Sequence, residues 1–160
     1  MAALYRRHAA NAIRLAYLLT GDEALAEDLF HDAFIKISGR WGTLRDPEAF
    51  GGYLRRTIVN LSHSHHRRKA VERRFLERER GSLRPTPGAE SLDHEADELW
   101  DQIQRLPIGQ RQAIVLRFYE DVSDEEIAEI LRCRPGTVRS RISRGLDALH
   151  RIRGGDRVGD

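Results

Sequence analysis

The chain has one cysteine, Cys133, among its 160 residues, so an internal disulfide is impossible. That excludes the disulfide-stapled scaffolds and fits a reducing compartment. Long apolar runs are missing as well. The best stretch, AIRLAYLL, is short and broken by Arg14, which excludes a membrane span. The first residues lack the pattern of a cleavable signal, and the expected location is the cytoplasm. Glycine and proline are sparse and β-branched alternation is nearly absent, which leaves helical periodicity dominant. The marks of an enzyme are lacking too. No nucleophile with a base beside it, no converging carboxylate pair and no phosphate-cradling loop can be picked out. The chain therefore reads as a non-enzymatic protein with no cofactor.

What it does have is charge, unevenly spread. The net charge is only +2, yet residues 53–84 hold ten Lys or Arg against three Glu, and residues 134–153 hold six Arg against one Asp. Acidic blocks at 20–33 and 85–101 contain no Lys or Arg. Two basic blocks separated by acidic ones suit a polyanion touched at two places.

The punctuation defines the helices. A first helix is expected over about 2–19. Thr20 and Glu23 then offer a capping box for a second helix reaching about Ser38. A loop follows, and Asp46 with Pro47 supplies a cap and a first-turn proline for a third helix towards Glu79. Four more helical segments are expected near 93–105, 108–120, 124–131 and 135–152, with Ser123 and Glu126 as a second capping box. Between the two groups lies GSLRPTPGAES, which has no core material. The expected fold is all-α: two small helical domains, 1–80 and 93–153, on a flexible linker at 81–92, with a tail at 154–160.

The last helix carries the clearest chemistry. Val138, Ile142, Leu146, Leu149 and Ile152 form one apolar stripe. Gly136, Ser140, Ser143 and Arg144 point away from it, with Arg139 and Arg141 flanking the stripe. Small residues ringed by arginines let a helix approach a surface closely and pair with phosphates or guanine edges. The helix before it offers Ile127, Ile130 and Leu131 to the same stripe, so the pair reads as a helix-turn-helix with the second helix as reader.

YEDVSDEEIAEILRCRPGTVRSRISRGLDALHRI resembles the fourth conserved region of bacterial sigma factors, in the extracytoplasmic-function group of the sigma-70 family. The resemblance implies that Arg134, Thr137, Arg139, Ser140, Arg141, Ser143 and Arg144 address a promoter's −35 element. Two positions depart from the family pattern. Arg132 stands where glycine is frequent, and Arg134 stands where a serine cap is frequent; arginine is a poor N-cap and disfavours positive φ.

AEDLFHDAFIKI and RDPEAFGGYLRRTIVNLSHSHHRR are similar to the second sigma region. In the third helix, Leu54, Ile58, Leu61 and His65 share one face, while Arg56, Asn60, His63 and Arg67 share the opposite one. That second stripe suits a nucleic-acid backbone and unstacked bases. The resemblance implies −10 recognition and capture of a flipped base by this helix and the loop before it, which holds Arg40, Trp41 and Arg45. Two roles are open to Trp41, base stacking and core packing. His63, His65 and His66 do not converge on one helix face and have no cysteine pair or HExxH beside them, so no metal site is expected. Cys133 reads as a small buried filler.

The second helix has a core stripe of Leu25, Leu29, Ala33 and Ile37. Its other side sets Phe34 and Ile35 beside Glu27, Asp28 and His31, a pattern for a protein partner. By resemblance, Glu27, Asp28, His31 and Ile35 dock on the β′ clamp helices of core RNA polymerase, with a weaker contact from the second domain to the β flap. Promoter DNA and an anti-sigma protein complete the partners that the resemblance raises. A stand-alone repressor would use the helix-turn-helix but would leave the basic stripe and the partner face without a role.

Overall fold

The computed structural model describes residues 1–43, 46–79 and 94–155. Seven α-helices make up nearly all of them: α1 Ala2–Thr20, α2 Glu23–Ser38, α3 Phe50–Glu79, α4 His94–Gln104, α5 Ile108–Ile114, α6 Asp124–Leu131 and α7 Pro135–Gly155. No strand occurs among the described residues. The expected linker, 81–92, and most of the tail, 156–160, lie outside them.

Local chemistry sets the helix ends. Gly21 takes the left-handed conformation (φ 72°) and stops α1. Thr20 therefore stays in the last turn of α1, where its hydroxyl donates to Ala16 O at 2.8 Å. The cap of α2 falls instead to Asp22, whose Oδ1 accepts from Leu25 N at 3.1 Å. This corrects the Thr20–Glu23 box. Asp46 accepts from Glu48 N at 3.0 Å and opens a 3-10 turn over Pro47–Ala49 that runs into α3. Ser123 caps α6 by accepting from Glu126 N at 3.2 Å, as expected.

α1, α2 and α3 pack as a three-helix unit around Leu15, Leu19, Phe30, Phe50 and Ile58, all fully buried. Burying a side chain of this size contributes about 1.5–3 kcal/mol. Phe34 belongs to this core too. Its ring meets Tyr5 edge-on at 5.2 Å and Phe50 at 5.7 Å, so it leaves the partner face on which the sequence pattern had set it. The packing role of Trp41 is the one observed: its ring stands edge-on to Phe50 at 5.2 Å.

In the second half, α5 continues as a π-helical turn, Val115–Tyr119, which buries Val115 and Leu116 and leaves Phe118 exposed. α7 packs on α5 and α6 through Val138, Ile142 and Leu149. Leu146 lies at the edge of this contact rather than inside it. Gly145 occupies the close approach, where a Cβ would collide with Ile114 Cδ1.

The two halves do not stand apart. Val115, Leu116, Val122, Ile127 and Val138 join the core of α1–α3 in one continuous apolar cluster. α3 touches α6, and α1 touches α4 and α5.

Candidate nucleic-acid interface and docking face

The turn between α6 and α7 fixes the angle at which α7 leaves it. Arg132 adopts left-handed geometry (φ 54°, ψ 48°). Cys133 N donates to Ala128 O at 3.0 Å and Arg132 N to Glu129 O at 3.4 Å. This is a Schellman termination with arginine in the glycine position. Cys133 follows it and packs, half-buried, against the core, which is the usual place for an apolar residue in that motif. Arg134 gives its carbonyl to Thr137 N and Val138 N at 2.9 and 3.2 Å and leaves its side chain exposed.

On α7, Arg139, Ser140, Ser143 and Arg144 are all exposed on one surface. Two other candidates differ. Thr137 is half-buried. Arg141 turns inward: its Nη1 lies 3.9 Å from Cys133 Sγ, and its Nε would meet a Cβ on Gly109 at 3.2 Å. Arg141 is therefore an anchor of α7 against α5 rather than part of its open face.

On α3, Asn60, His63 and Arg67 are exposed along one side, as the periodicity indicated. Arg56 shares that side but reaches Glu129 of α6 at 3.5 Å. Arg40 is exposed just past α2, and Arg45 lies outside the described residues. A cleft of about 420 Å³ opens between the end of α2 and the start of α3, lined by Lys36, Ile37, Arg40, Thr43, Tyr53 and Thr57. Sequence reasoning missed Lys36, Tyr53 and Thr57. The signal was an exposed aromatic one turn before Thr57, whose hydroxyl donates to Tyr53 O at 2.8 Å. The histidines diverge: His63 is exposed, His65 is half-buried, and His66 turns towards Leu19 O.

On α2, Glu27 and Asp28 are exposed, and Ile35 is 68% exposed, unusual for so large an apolar side chain. His31 shares the face, with Nε2 3.1 Å from the Tyr5 hydroxyl and its ring stacked on Tyr5. Acids and one open apolar group thus sit on a rigid helix whose opposite side is core.

Polar contacts also cross between the halves. Arg55 Nε pairs with Glu120 at 2.8 Å and its Nη1 lies 3.5 Å from Glu126. The Glu126 carboxylate thus faces α3, although its amide completes the Ser123 cap. Gln104 Nε2 donates to Leu18 O at 2.9 Å. Arg111 donates to Leu19 O at 3.0 Å and to Gln104 O and Leu106 O at 2.6 and 3.1 Å. Burial lowers the Arg111 guanidinium from its ordinary value. Burial also holds the His66 imidazole below its ordinary range; its bond to Leu19 O opposes this, and Arg111 adds to it.

The chain matches two family models, one described as Sigma-70 region 2 over residues 4–72 and one as Sigma-70, region 4 over residues 96–149. It is 33% identical over 139 residues to the RNA polymerase sigma-E factor of Streptomyces coelicolor, covering 86% of this chain and 76% of that protein. It is 30% identical over 155 residues to the ECF RNA polymerase sigma-E factor of Escherichia coli K12, covering 89% and 80%. Its fold is similar to that of the sigma factor RpoE in a co-crystal structure with the anti-sigma factor NepR from Bartonella quintana, with a TM-score of 0.77, 21% identity and 92% of each chain covered. Two sigma regions in order, and relatives matched over most of their length, place the chain in the sigma-70 family of RNA polymerase sigma factors, in its extracytoplasmic-function group.

Proposed function

We propose that this sigma factor docks on core RNA polymerase through α2 and reads a promoter at two places, with α7 on the −35 element and α3 on the −10 element. The observation that carries the reading is the outward face of α7. Arg139 and Arg144 stand beside Ser140 and Ser143 on a helix whose other side is packed by Val138 and Leu149. Small residues admit the helix to the major groove, and the arginines supply phosphate or guanine contacts there. Arg134, at the turn, is placed for a backbone phosphate.

The division of labour follows the two halves: 1–80 for polymerase binding and −10 recognition, 93–153 for −35 recognition. Asn60, His63 and Arg67, with Arg56 once it is released from Glu129, form the strip that meets the −10 strand. The cleft at Lys36, Arg40 and Tyr53 suits an unstacked base, with Tyr53 as a stacking surface and two cations for its phosphates. The factor performs no covalent chemistry. Strand opening draws on binding energy shared between polymerase contacts and captured bases. No helix among the described residues is long and apolar enough to cross a membrane, and the cytoplasm is the proposed site of action. An anti-sigma protein is the proposed class of regulator.

The test is transcription from a promoter library by core polymerase loaded with this chain. Enrichment of a shared −35 and −10 pair is the expected result. Wild-type promoter opening without polymerase, or no enrichment with it, would overturn the reading.

A further inference from the structure

We propose that Tyr5 of α1 is a positioning residue of the polymerase-docking face: its hydroxyl holds the imidazole of His31 on α2, so that the other ring nitrogen meets a carbonyl oxygen of the partner already oriented. The proposal rests on the reading that α2 docks on core polymerase.

His31 stands at the centre of that face. Glu27, His31 and Ile35 follow one another at steps of four, one above the other on the helix. All three are exposed, and groups near the middle of an interface carry most of its energy. An exposed imidazole would ordinarily rotate, and docking would have to freeze it. Here it is held beforehand. The Tyr5 hydroxyl lies 3.1 Å from His31 Nε2, and the two rings lie 18° from parallel with centroids 6.2 Å apart.

Tyr5 is itself fixed by the core. It is half-buried, and its ring stands 5.2 Å from both Phe30 and Phe34, tilted on the first and edge-on to the second. Phe30 is fully buried, and Phe34 reaches Phe50 at 5.7 Å. The rigidity of the three-helix unit thus extends, through a phenol, to a side chain on its surface. A phenylalanine would fill the same space, so packing has no use for the hydroxyl.

The hydrogen bond also sets the chemistry that His31 offers. A phenol O–H donates, and a neutral imidazole nitrogen accepts. The tautomer is chosen by the bond that one nitrogen makes. With Nε2 accepting from Tyr5, the ring proton sits on Nδ1, and Nδ1–H calls for an acceptor on the partner. Glu27 and Asp28 share the face and repel a carboxylate, so the acceptor that fits is an uncharged carbonyl oxygen.

The experiment has two arms. Heteronuclear NMR of the free full-length chain at about pH 8, where an ordinary imidazole is neutral, reads the His31 ring, whose signals are assigned by their loss in His31→Ala. The proton is expected on Nδ1 in the wild type, and Tyr5→Phe should abolish that preference. Pull-down with core polymerase is the second arm. Tyr5→Phe should weaken assembly about fivefold, the scale of freezing one side chain, while the circular dichroism and urea midpoint of the free chain stay close to wild type. In the His31→Ala background the same change should have no effect, a coupling that a purely structural Tyr5 would not show. A wild-type ring protonated on Nε2, Tyr5→Phe assembling at wild-type strength, or equal losses from Tyr5→Phe with and without His31 would each overturn the positioning. Ile35→Asp leaves both rings in place and tests α2 docking separately. Full assembly by Ile35→Asp and by His31→Ala would overturn the docking reading and the proposal with it, whereas losses in those two and none in Tyr5→Phe would overturn the role of Tyr5 alone.

Discussion

Arg111 and His66 share one acceptor. Arg111 Nη1 and His66 Nε2 lie 3.0 and 3.1 Å from the carbonyl oxygen of Leu19. Three helices, α1, α3 and α5, meet at this atom. A neutral His66 with its proton on Nε2 donates to it. A protonated His66 would set a second positive charge beside Arg111, and the charges of His65 and Lys69 disfavour it further.

A pH dependence follows. The His66 pKa in the compact chain is lowered below 6.5, chiefly by burial. A group lowered in this way contributes its stabilisation fully above its unfolded value and loses it as pH falls through the lowered value. The compact chain should therefore be most stable above about pH 6.5 and weaken towards pH 5, before most carboxylates titrate. Urea midpoints between pH 8 and 5 measure this. His8 and His65 are lowered as well, so His66→Gln, which keeps a donor but takes up no proton, should flatten part of the slope. An unchanged slope would remove His66 from the effect.

Arg132 holds a left-handed conformation that costs an L-residue about 1–2 kcal/mol. Glycine removes that cost but loses about 0.5–1 kcal/mol in chain entropy. Arg132→Gly should therefore raise stability by up to about 1.5 kcal/mol, and Arg132→Val should lower it. Denaturant unfolding of both variants decides the matter. Equal stability of the two would show that the turn does not depend on this geometry.

Arg141 and Arg144 should behave differently although both belong to the basic helix. Arg144 is exposed on the outward face of α7, whereas Arg141 packs beside Cys133 and Gly109. Arg144→Ala should weaken −35-dependent binding by about 1–3 kcal/mol if it contacts a base, or lower the salt slope by about one if it contacts a phosphate. Folding should be unaffected. Arg141→Ala should lower the melting temperature of the free chain. Competition binding at several salt concentrations, with thermal melts, separates the two.

Much of this was legible in the sequence, and the gaps have physical causes. Helix number and order followed from the spacing of apolar residues. The exposed faces of α3 and α7 followed from the same periods, because one side of each had to be buried. Periodicity could not show that Arg141 turns inward, since the room for it is made by Gly109, on another helix. Thr20 was misread because Gly21 can end a helix as readily as it can precede one. Phe34 was misread because the α2 core stripe is wider than one row and takes in Phe30 and Phe34 together. The packing of the two halves on each other left no pattern at all. Its contacts run from Gln104 and Arg111 to main-chain oxygens, which every residue possesses, and from Arg55 to glutamates 65 and 71 positions away.

The face of α2 gives the last test, which turns on two neighbours in the chain. Ile35 is 68% exposed, while Phe34 packs on Tyr5 and Phe50. An exposed isoleucine adds nothing to the core, so Ile35→Asp should leave the circular dichroism and the urea midpoint of the free chain as they are. If the face docks on polymerase, the same change buries a charge in an apolar contact, and assembly with core enzyme should weaken by about 2 kcal/mol, the scale of a binding hot spot. Reversing the exposed acids, Glu27→Lys with Asp28→Lys, should slow assembly and reduce its dependence on salt, because charge at the rim of an interface acts mainly on encounter. Phe34→Ala is the control in the other direction. It should cost about 3 kcal/mol of folding stability through the cavity it leaves. Quantitative pull-down with core polymerase, beside unfolding of the free variants, reads all three. Assembly at wild-type strength by both Ile35→Asp and the Glu27→Lys/Asp28→Lys variant would move the docking surface off α2.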